Sequence, residues 1–388
     1  MPSISAAEVP RRTPSVAAGL SRAGWSGPGA RAPLVVHVFP TFAVGGAQAR
    51  FATLANRFGR DFRHLVVALD GNTAARSRLA PDLDVQFPPV LAPKDAMLGN
   101  AWRFRGLLRQ WEPDLLVTCN WGAIEFALAN FWPVSRHIHV EDGFGPEERS
   151  GQIRRRGLVR RLALSRSTVV LPSRTLERIA TEQWRLPRTV YVPNGIDLAR
   201  FSPAPPRSGP VVTIGTVAAL REEKNIGRLL AAFAQLAAER AVRLVIVGDG
   251  PQRPALEAEV AARALGELVT FTGQRSDTPA LYAGFDIFAL SSDTEQMPLS
   301  VLEAMASGLP IASTDVGDVR TILAPENAAF VVPLDADALA STLRTLAEDS
   351  ALRGRLGAAN RLRAAGDFDE AVMARRWRAL WDGTACPG

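Results

Sequence analysis

The stretch that decides the fold is residues 287–310, which read IFALSSDTEQMPLSVLEAMASGLP. It opens with a short apolar run, Ile287 to Leu290, that is typical of a buried strand. A polar loop follows, and Pro298 stands where a helix begins without needing its missing N–H group. After the helix that starts near Leu299, a second apolar run begins at Pro310. The stretch therefore predicts a strand, a loop at its carboxyl end, a helix and the next strand.

The same alternation of short apolar strands and longer helices runs along most of the chain. It indicates parallel βαβ units, whose strands are covered on both faces and are therefore apolar throughout. We predict the α/β class with doubly wound sheets. The predicted strands are residues 34–39, 64–69, 114–119, 137–140, 168–171, 189–192, 211–216, 243–247, 269–272, 287–290 and 310–313, and the predicted helices are residues 48–58, 123–130, 226–239, 254–265, 299–307 and 369–381.

The length of the chain and one Pro-rich stretch indicate two domains of this kind. Its 388 residues exceed the usual size of one domain, which is about 100–200 residues. The Pro-rich stretch 202–210 also interrupts the pattern. We predict a disordered leader at residues 1–32, an N-terminal Rossmann-like domain at 33–195, a linker at 196–210, a C-terminal Rossmann-like domain at 211–365, and a C-terminal helix at 366–388 that crosses back to the N-domain.

Composition excludes several classes of protein. Hydrophobic residues make up 47% of the chain and charged residues 22%, a balance that excludes a disordered or fibrous protein. No apolar run approaches the about 20 residues that cross a bilayer, and the N-terminus lacks the apolar stretch of a signal peptide. The two cysteines, Cys119 and Cys386, lie too far apart in sequence to suggest a disulfide framework or a zinc site. We therefore expect a cytoplasmic protein.

The formal net charge of +6 is less informative than the clustering of arginine. Two interpretations of the cluster stay open: a solvated helix face, or a surface attracted to anionic lipid headgroups or a phosphorylated acceptor. Nucleic acid is a weaker candidate because no aromatic residues interleave with the arginines. The cluster consists of Arg149, Arg154, Arg155, Arg156, Arg160, Arg161 and Arg166.

The loop and helix start after Leu290 have the chemistry of an anion site. The first N–H groups of the helix and its dipole suit a diphosphate. Glu295 stands in the loop and Glu303 about one turn inside the helix, so one carboxylate can face a sugar ring while the other holds a ribose diol. Alternatively, the two glutamates only complement the helix dipole.

Motifs of one known group follow one another in that group's order. Glu295 and Glu303 form Glu-x7-Glu and are followed by Ala304-Met305-Ala306-Ser307-Gly308-Leu309-Pro310. The other motifs are Gly45-Gly46, Val192-Pro193-Asn194-Gly195-Ile196-Asp197, Val247-Gly248-Asp249-Gly250-Pro251 and Phe271-Thr272-Gly273. From about Leu34 to Trp381 the chain resembles the retaining glycosyltransferases of family 4. The resemblance implies the GT-B fold, in which two Rossmann-like domains face across a cleft.

The resemblance also implies the roles of particular residues. The N-domain is expected to bind the acceptor, and the C-domain a nucleotide diphospho-sugar. Glu295, Lys224 and His139 are the expected catalytic residues. Asn120, Glu141 and Asp142 are the expected acceptor-binding residues. The expected donor-binding residues are Gly45, Gly46, Arg221, Lys224, Glu295, Gln296, Met297, Leu299, Ser300 and Glu303.

Two positions depart from the family's pattern. The phosphate clamp of the family pairs an arginine with a lysine five positions later; Lys224 matches, but Ala219 occupies the arginine position and Arg221 is displaced by two residues. The family also places a histidine at the end of a strand, facing the donor sugar. In this sequence His139, Glu141 and Asp142 are all candidates for that position.

The expected reaction is transfer of a glycosyl group, with retention of anomeric configuration, to a glycan or lipid-linked acceptor in polysaccharide biosynthesis. No Asp-x-Asp pair follows a strand in a way that suggests a divalent metal. We expect no cofactor other than the donor substrate, and possible partners include an anionic membrane surface but no nucleic acid. The alternatives are a related nucleotide-sugar epimerase or phosphorylase, or a non-catalytic sugar-nucleotide-binding protein.

Overall fold

The computed structural model describes residues 32–93, 96–144, 148, 152–205 and 209–384. The chain divides into two compact units, residues 1–137 and 138–388. Several predicted features lie wholly or partly outside the described residues: the leader through residue 31, residues 206–208 of the linker, Arg149, and residues 385–388 of the C-terminal segment, which include Cys386. The predicted domain boundaries stay predictions.

The first unit is built on a parallel sheet in the order β3-β2-β1-β4. Leu34 pairs with Arg63, and Val35 with Leu115. The strands are β1 Leu34–Phe39, β2 Arg63–Ala68, β3 Val85–Gln86, β4 Leu115–Cys119 and the first two residues of β5 Arg136–Val140, and the helices are α1 Gly46–Phe58, α2 Met97–Trp111 and α3 Ile124–Ala129.

Helix α2 is absent from the sequence prediction. Its inner face carries Phe104, Leu108 and Trp111, which are buried in the core beneath β1. Its outer face exposes Leu98 and Trp102, and no side chain caps its N-terminus at Ala96. Apolar residues on both faces and the missing cap remove the two signals by which a helix is found in a sequence.

The second unit begins with the rest of β5, which pairs in parallel with β6, and β6 pairs with β7. A six-stranded parallel sheet follows, in the order β10-β9-β8-β11-β12-β13. The strands are β6 Thr168–Leu171, β7 Thr189–Tyr191, β8 Val212–Val217, β9 Val242–Val247, β10 Val269–Gly273, β11 Ile287–Leu290, β12 Ile311–Thr314 and β13 Val331–Val332. The helices are α4 Arg154–Ala163, α5 Arg174–Arg178, α6 Ile226–Ala237, α7 Arg253–Ala262, α8 Thr278–Tyr282, α9 Leu299–Ala306, α10 Val319–Ile322, α11 Ala336–Glu348, α12 Ser350–Asp367 and α13 Glu370–Asp382.

Helices cover both faces of the six-stranded sheet. Ile287 and Ala289 of β11 point into a core shared with α6, α7 and α11. Phe288 and Leu290 of the same strand point into a second core, with α8, α9 and α12. A strand buried on both sides must be apolar at every position, which is why β11 was predicted correctly.

Helix α12 is pinned to the sheet by two fully buried asparagines. Asn360 Nδ2 donates to Leu309 O at 2.9 Å and to Asn327 Oδ1 at 2.8 Å. Asn327 in turn bonds both main-chain groups of Ile311, at the start of β12. Because buried amides need partners, this network fixes the position of the helix along the sheet.

The last helix begins beside the segment that leaves β7. Ile196 N donates to Phe368 O at 2.8 Å, and Glu370 N donates to Ile196 O at 3.0 Å. A Cβ atom on Gly195 would lie 2.6 Å from the Cα of Glu370, so the close approach requires glycine. The predicted passage of this helix back to the N-domain stays a prediction.

Across the described residues, no helix combines the length and the apolar character needed to span a bilayer.

Gly357→Ala should destabilise the second unit, because a Cβ atom there would lie 2.0 Å from the carbonyl oxygen of Gly308 and would push α12 away. We expect a loss of about 1–3 kcal/mol in the free energy of unfolding, measured in urea. Gly354→Ala is the control on the same helix, where a Cβ atom would meet nothing within 4 Å. It should be neutral or stabilise by up to about 1 kcal/mol, and equal losses in both variants would contradict the packing argument.

A buried histidine pair in the first unit should make stability depend on pH. His37 Nε2 lies 3.2 Å from His64 Nδ1, and burial lowers the pKa of His64 to about 3. Burial and the neighbouring His64 also lower the pKa of His37 well below its usual value. An unfolded histidine takes up its proton near pH 6.5, so the unfolded chain binds more protons below that pH.

The free energy of unfolding should therefore fall as the pH is lowered from about 6.5 towards 3, by up to about 1.4 kcal/mol per pH unit for each histidine. His64→Asn keeps a polar partner for His37 but removes one titrating group, so its unfolding free energy should depend less steeply on pH. The free energy of unfolding of the wild type and of His64→Asn can be measured in urea across this pH range. An equal dependence on pH in the two proteins would refute this account.

Candidate active site

Two loops meet at the carboxyl ends of the neighbouring strands β8 and β11. Asp293 N donates to Glu223 O at 2.9 Å, and Ser291 Oγ donates to Lys224 O at 3.1 Å. From beneath, Thr314 Oγ1 donates to Ser292 O at 2.7 Å. The first two bonds join the loop before α9, residues 291–298, to the turn at Glu222–Lys224, and the third holds the loop to the end of β12. Ligands of doubly wound sheets bind at this edge.

Lys224 and Glu295 form the central ion pair of the site. Lys224 Nζ lies 2.6 Å from Glu295 Oε1, and the side chains are 23% and 11% exposed. Ser292 Oγ donates to the same carboxylate oxygen at 2.8 Å. Because the pair is largely shielded from water, its charges interact more strongly than those of a surface pair. The structure thus brings together two residues that the sequence analysis predicted to be catalytic.

Arg228 also holds the loop, although the sequence analysis did not single it out. Its guanidinium donates to Asp293 Oδ1 at 2.6 Å and to Ser291 O at 2.7 Å. Asn225 adds a bond to Asp293 Oδ1 at 3.0 Å, while its own Oδ1 caps α6. Asn225 adopts a left-handed conformation with φ +42°, which asparagine tolerates. These hydrogen bonds fasten the loop before α9 to the start of α6.

Glu303 lies inside α9 and is oriented by a buried phenol. Tyr282 OH donates to Glu303 Oε2 at 2.7 Å, and Tyr282 is fully buried. Burial, and then the charge of Glu303, raise the pKa of Tyr282 well above its ordinary value. The phenol therefore stays protonated as a donor. Tyr282 is a second residue that the sequence analysis missed, because it precedes Glu303 by 21 residues and belongs to no motif.

The remaining predicted donor-binding residues of this loop are held from several sides. Ser173 Oγ donates to Gln296 Oε1 at 3.2 Å, and Asn194 Nδ2 donates to Met297 O at 3.0 Å. A Cβ atom on Gly317 would lie 2.4 Å from Glu295 O, so only glycine permits this approach. Met297 is buried, whereas Leu299 and Ser300, in the first turn of α9, are half-buried.

The turn that carries Arg221 and Lys224 packs directly on the loop after β9. A Cβ atom on Gly248 would lie 1.8 Å from Ala218 O, and one on Gly250 would lie 2.5 Å from Leu220 O. The Gly-Asp-Gly motif therefore has a packing role here. Arg221 is 60% exposed, and its guanidinium lies 4.0 Å from Glu223. At that exposure the pair adds little to stability.

The end of β5 carries a buried ion cluster. Arg160 is fully buried and donates through Nε to Glu141 Oε2 at 3.1 Å and through both terminal nitrogens to Glu148. His139 Nε2 lies 3.6 Å from Glu141 Oε2. Although burial alone lowers the pKa of Arg160, the charges of Glu141 and Glu148 outweigh it and raise that pKa.

These positions bear on the predicted roles of the β5 residues. His139 and Glu141 are fully buried, and Asp142 is half-buried. Glu141 is thus engaged with the protein itself, and its acceptor-binding role stays a prediction, as do the roles of His139 and Asp142.

The candidates of the first unit lie where its strands end. Gly45 is the N-cap of α1 and, like Gly46, is exposed, and no acidic residue occupies the first turn of that helix. Asn120 follows β4 with φ +59°. Glu125 accepts a bond from Asn100 at 3.1 Å, and its pKa is raised by burial. These residues form an open helix N-terminus and a polar strand end within that unit.

Within the described part of the chain, no group of three His, Cys, Asp or Glu side chains is arranged to hold a metal ion. The predicted metal independence stays a prediction.

Two protein-family profiles match the chain, one in each half. Residues 211–349 match the family described as "Glycosyl transferases group 1", and residues 44–200 match "Glycosyltransferase Family 4". The two matches agree with the resemblance found in the motifs.

Two curated relatives are similar over part of the chain. A GDP-mannose-dependent alpha-mannosyltransferase of Mycobacterium tuberculosis is 32% identical over 44% of this chain and 45% of the relative. A 2-deoxystreptamine glucosyltransferase of Streptomyces kanamyceticus is 32% identical over 50% of this chain and 54% of the relative. The chain therefore matches only about half the length of these relatives.

Among solved structures, Anabaena HepE in complex with UDP-glucose superposes with a TM-score of 0.75 at 19% sequence identity. The superposition covers 90% of this chain and all of the other. Likeness at this identity shows the fold, and the predicted GT-B class, with two parallel-sheet α/β domains, is confirmed.

Proposed function

Since the chain belongs to the glycosyltransferases of group 1 and family 4, we propose that it transfers a glycosyl group from a nucleotide diphospho-sugar to an acceptor with retention of anomeric configuration. The observation that carries the proposal is the Lys224–Glu295 pair, placed in the loops beside the start of α9. Cation, carboxylate and free helix N–H groups are the three elements that a donor diphospho-sugar requires.

In the proposed donor complex, each of these elements takes one part of the ligand. Lys224 and the first N–H groups of α9, at Leu299 and Ser300, hold the diphosphate. Glu303, oriented by Tyr282, accepts hydrogen bonds from the ribose diol. Glu295 faces the sugar. Lys224 neutralises Glu295 in the structure, and donor binding would move the lysine towards the phosphates.

The proposed mechanism needs no covalent nucleophile. The bond from the anomeric carbon to the phosphate oxygen breaks while the acceptor oxygen bonds to that carbon on the same face, so the configuration is kept. The proton of the acceptor hydroxyl passes to the departing diphosphate. Lys224 and the α9 dipole stabilise the charge that develops on the diphosphate, and the loop that Arg228 fixes supplies orientation. No step requires a metal ion.

The proposed donor class is a nucleoside diphosphate linked to a hexose. One relative is named for GDP-mannose and one structural neighbour was solved with UDP-glucose, which supports this class for the present chain. The proposed acceptor is a glycan or a lipid-linked glycan in polysaccharide biosynthesis. We propose a cytoplasmic enzyme that binds peripherally to the inner face of the cell membrane.

A panel of UDP-, GDP- and ADP-hexoses tests the reaction class. We expect hydrolysis or transfer from one donor in excess chelator, and NMR of the product should show the anomeric configuration of the donor. An inverted product, or complete dependence on a divalent metal, would contradict the proposal. Binding without turnover of any donor would indicate a non-catalytic binding protein instead. That alternative is considered because Ala219 occupies the arginine position of the family's phosphate clamp.

Glu303→Gln and Glu295→Gln should fail in different ways. Glu303 would contact the nucleotide in every state, so its loss should weaken free nucleoside diphosphate and donor alike, by roughly 10- to 150-fold, the equivalent of a charge-assisted bond of about 1.5–3 kcal/mol. Glu295→Gln removes the partner of Lys224, so affinity for free nucleoside diphosphate should be kept or increased while turnover falls.

Calorimetry with the nucleoside diphosphate separates the two variants, and steady-state turnover completes the comparison. Equal losses of nucleotide affinity would show that the assigned roles are wrong. Wild-type behaviour of both variants would show that the carboxylates only stabilise the start of α9.

A further inference from the structure

Helix α4 divides the arginine cluster into a buried anchor and an exposed face. Arg160 faces inwards, with its guanidinium on Glu141 and Glu148 and 4.7 Å from the ring of Trp184. Arg156 also faces inwards in part and lies 3.5 Å from Glu148. The helix is therefore fixed to the second unit through these arginines, and its other face does not contribute to that attachment.

The exposed face combines positive charge with large apolar side chains. Leu158 and Leu162, one turn apart, are 68% and 56% exposed. Arg154, Arg155 and Arg161 are exposed beside them, and residues 152–166 contain no aspartate or glutamate. Leucines flanked by arginines on one face are the pattern of a helix that lies in the plane of a membrane interface.

The charges of α4 also oppose its own dipole. Three arginines occupy its first turn, and the N-cap residue offers no side-chain cap. Glu148 offsets one of them, because its carboxylate lies 3.5 Å from Arg156 and accepts a hydrogen bond from Ile153 N at 3.2 Å. Positive charge at a helix N-terminus is unfavourable on its own. An anionic surface placed against this turn would relieve that repulsion, whereas a neutral or basic partner would not.

We propose that the outer face of α4, formed by Arg154, Arg155, Leu158, Arg161 and Leu162, docks on an anionic lipid bilayer. The arginines lie among the headgroups and the two leucines enter the boundary with the acyl chains. Charge alone would account for the arginines, but the leucines give the surface a component that salt does not screen. The inference rests on the peripheral membrane binding proposed above and names the surface that makes it. It is independent of the transfer reaction, because docking needs neither donor nor acceptor.

Co-sedimentation of the full chain with vesicles tests the proposal. We expect binding to vesicles of phosphatidylcholine with phosphatidylglycerol, weaker binding at higher salt, and little binding to phosphatidylcholine alone. Replacing Arg154, Arg155 and Arg161 together by Gln should weaken binding by about a hundredfold, since each near-surface arginine is worth about fivefold. Leu158→Ser combined with Leu162→Ser should weaken it by about tenfold and leave its salt dependence unchanged.

Leu362→Ser is the matched control, because Leu362 is 75% exposed on α12. It should bind vesicles as the wild type does. Thermal unfolding and nucleoside diphosphate affinity should be unchanged in all variants, so a loss of docking is distinguished from failure of the donor site or of folding.

Equal binding to neutral and anionic vesicles at low salt would overturn the proposal, as would undiminished binding of the triple Gln variant. A concentration-dependent dimer that the leucine double variant abolishes would also overturn it, since the face would then be covered by a second copy of the chain.

Discussion

The main-chain and side-chain polar groups of residues 291–298 lie at the carboxyl ends of buried strands. A polar group that is shielded from water there needs a hydrogen-bond partner within the protein. The partners come from distant parts of the second unit: Glu223 bonds Asp293, Thr314 bonds Ser292, Asp318 N bonds Gln296 O at 2.9 Å, and Asn194 bonds Met297. Because each partner belongs to a different segment, the loop takes its shape only when those segments are assembled. The candidate site is thus a product of the whole unit and not of its motif alone.

The sequence analysis predicted best the strands that are buried along their whole length. The strands β1, β6 and β11 were predicted with their observed bounds because both faces of each are buried, and an apolar run is then unavoidable. Helix α12 was missed because Gly354, Gly357 and Gly366 lower its intrinsic helix propensity, and packing overrides that cost. Helix α11 is different: Asp335 caps it, and the spacing of its leucines would have been sufficient to predict it.

The candidate site shows the same division. Glu295, Lys224 and Glu303 were predicted because they belong to local motifs. Arg228 and Tyr282 act on those motifs from 65 and 21 residues away, and no spacing in the sequence connects them. The arginine cluster shows a further limit, since a count of charges cannot tell that Arg160 turns inwards to two glutamates while Arg154, Arg155 and Arg161 stay exposed. Which face of a helix packs on the protein is decided by tertiary structure.

The parallel bridge between Ile196 and Asp369 has a consequence for biosynthesis. The main-chain groups of Ile196 pair with Phe368 and Glu370, so the ribosome must add residues 197–368 before any of these partners exists. At about 5–20 residues per second, that delay is roughly 10–35 s. During this time β8 to β13 can assemble, while the segment at residues 195–196 keeps its polar groups in water. The second unit is therefore completed only when the start of the last helix has been made, and a chain stalled before residue 368 leaves the main-chain groups of Ile196 without these partners.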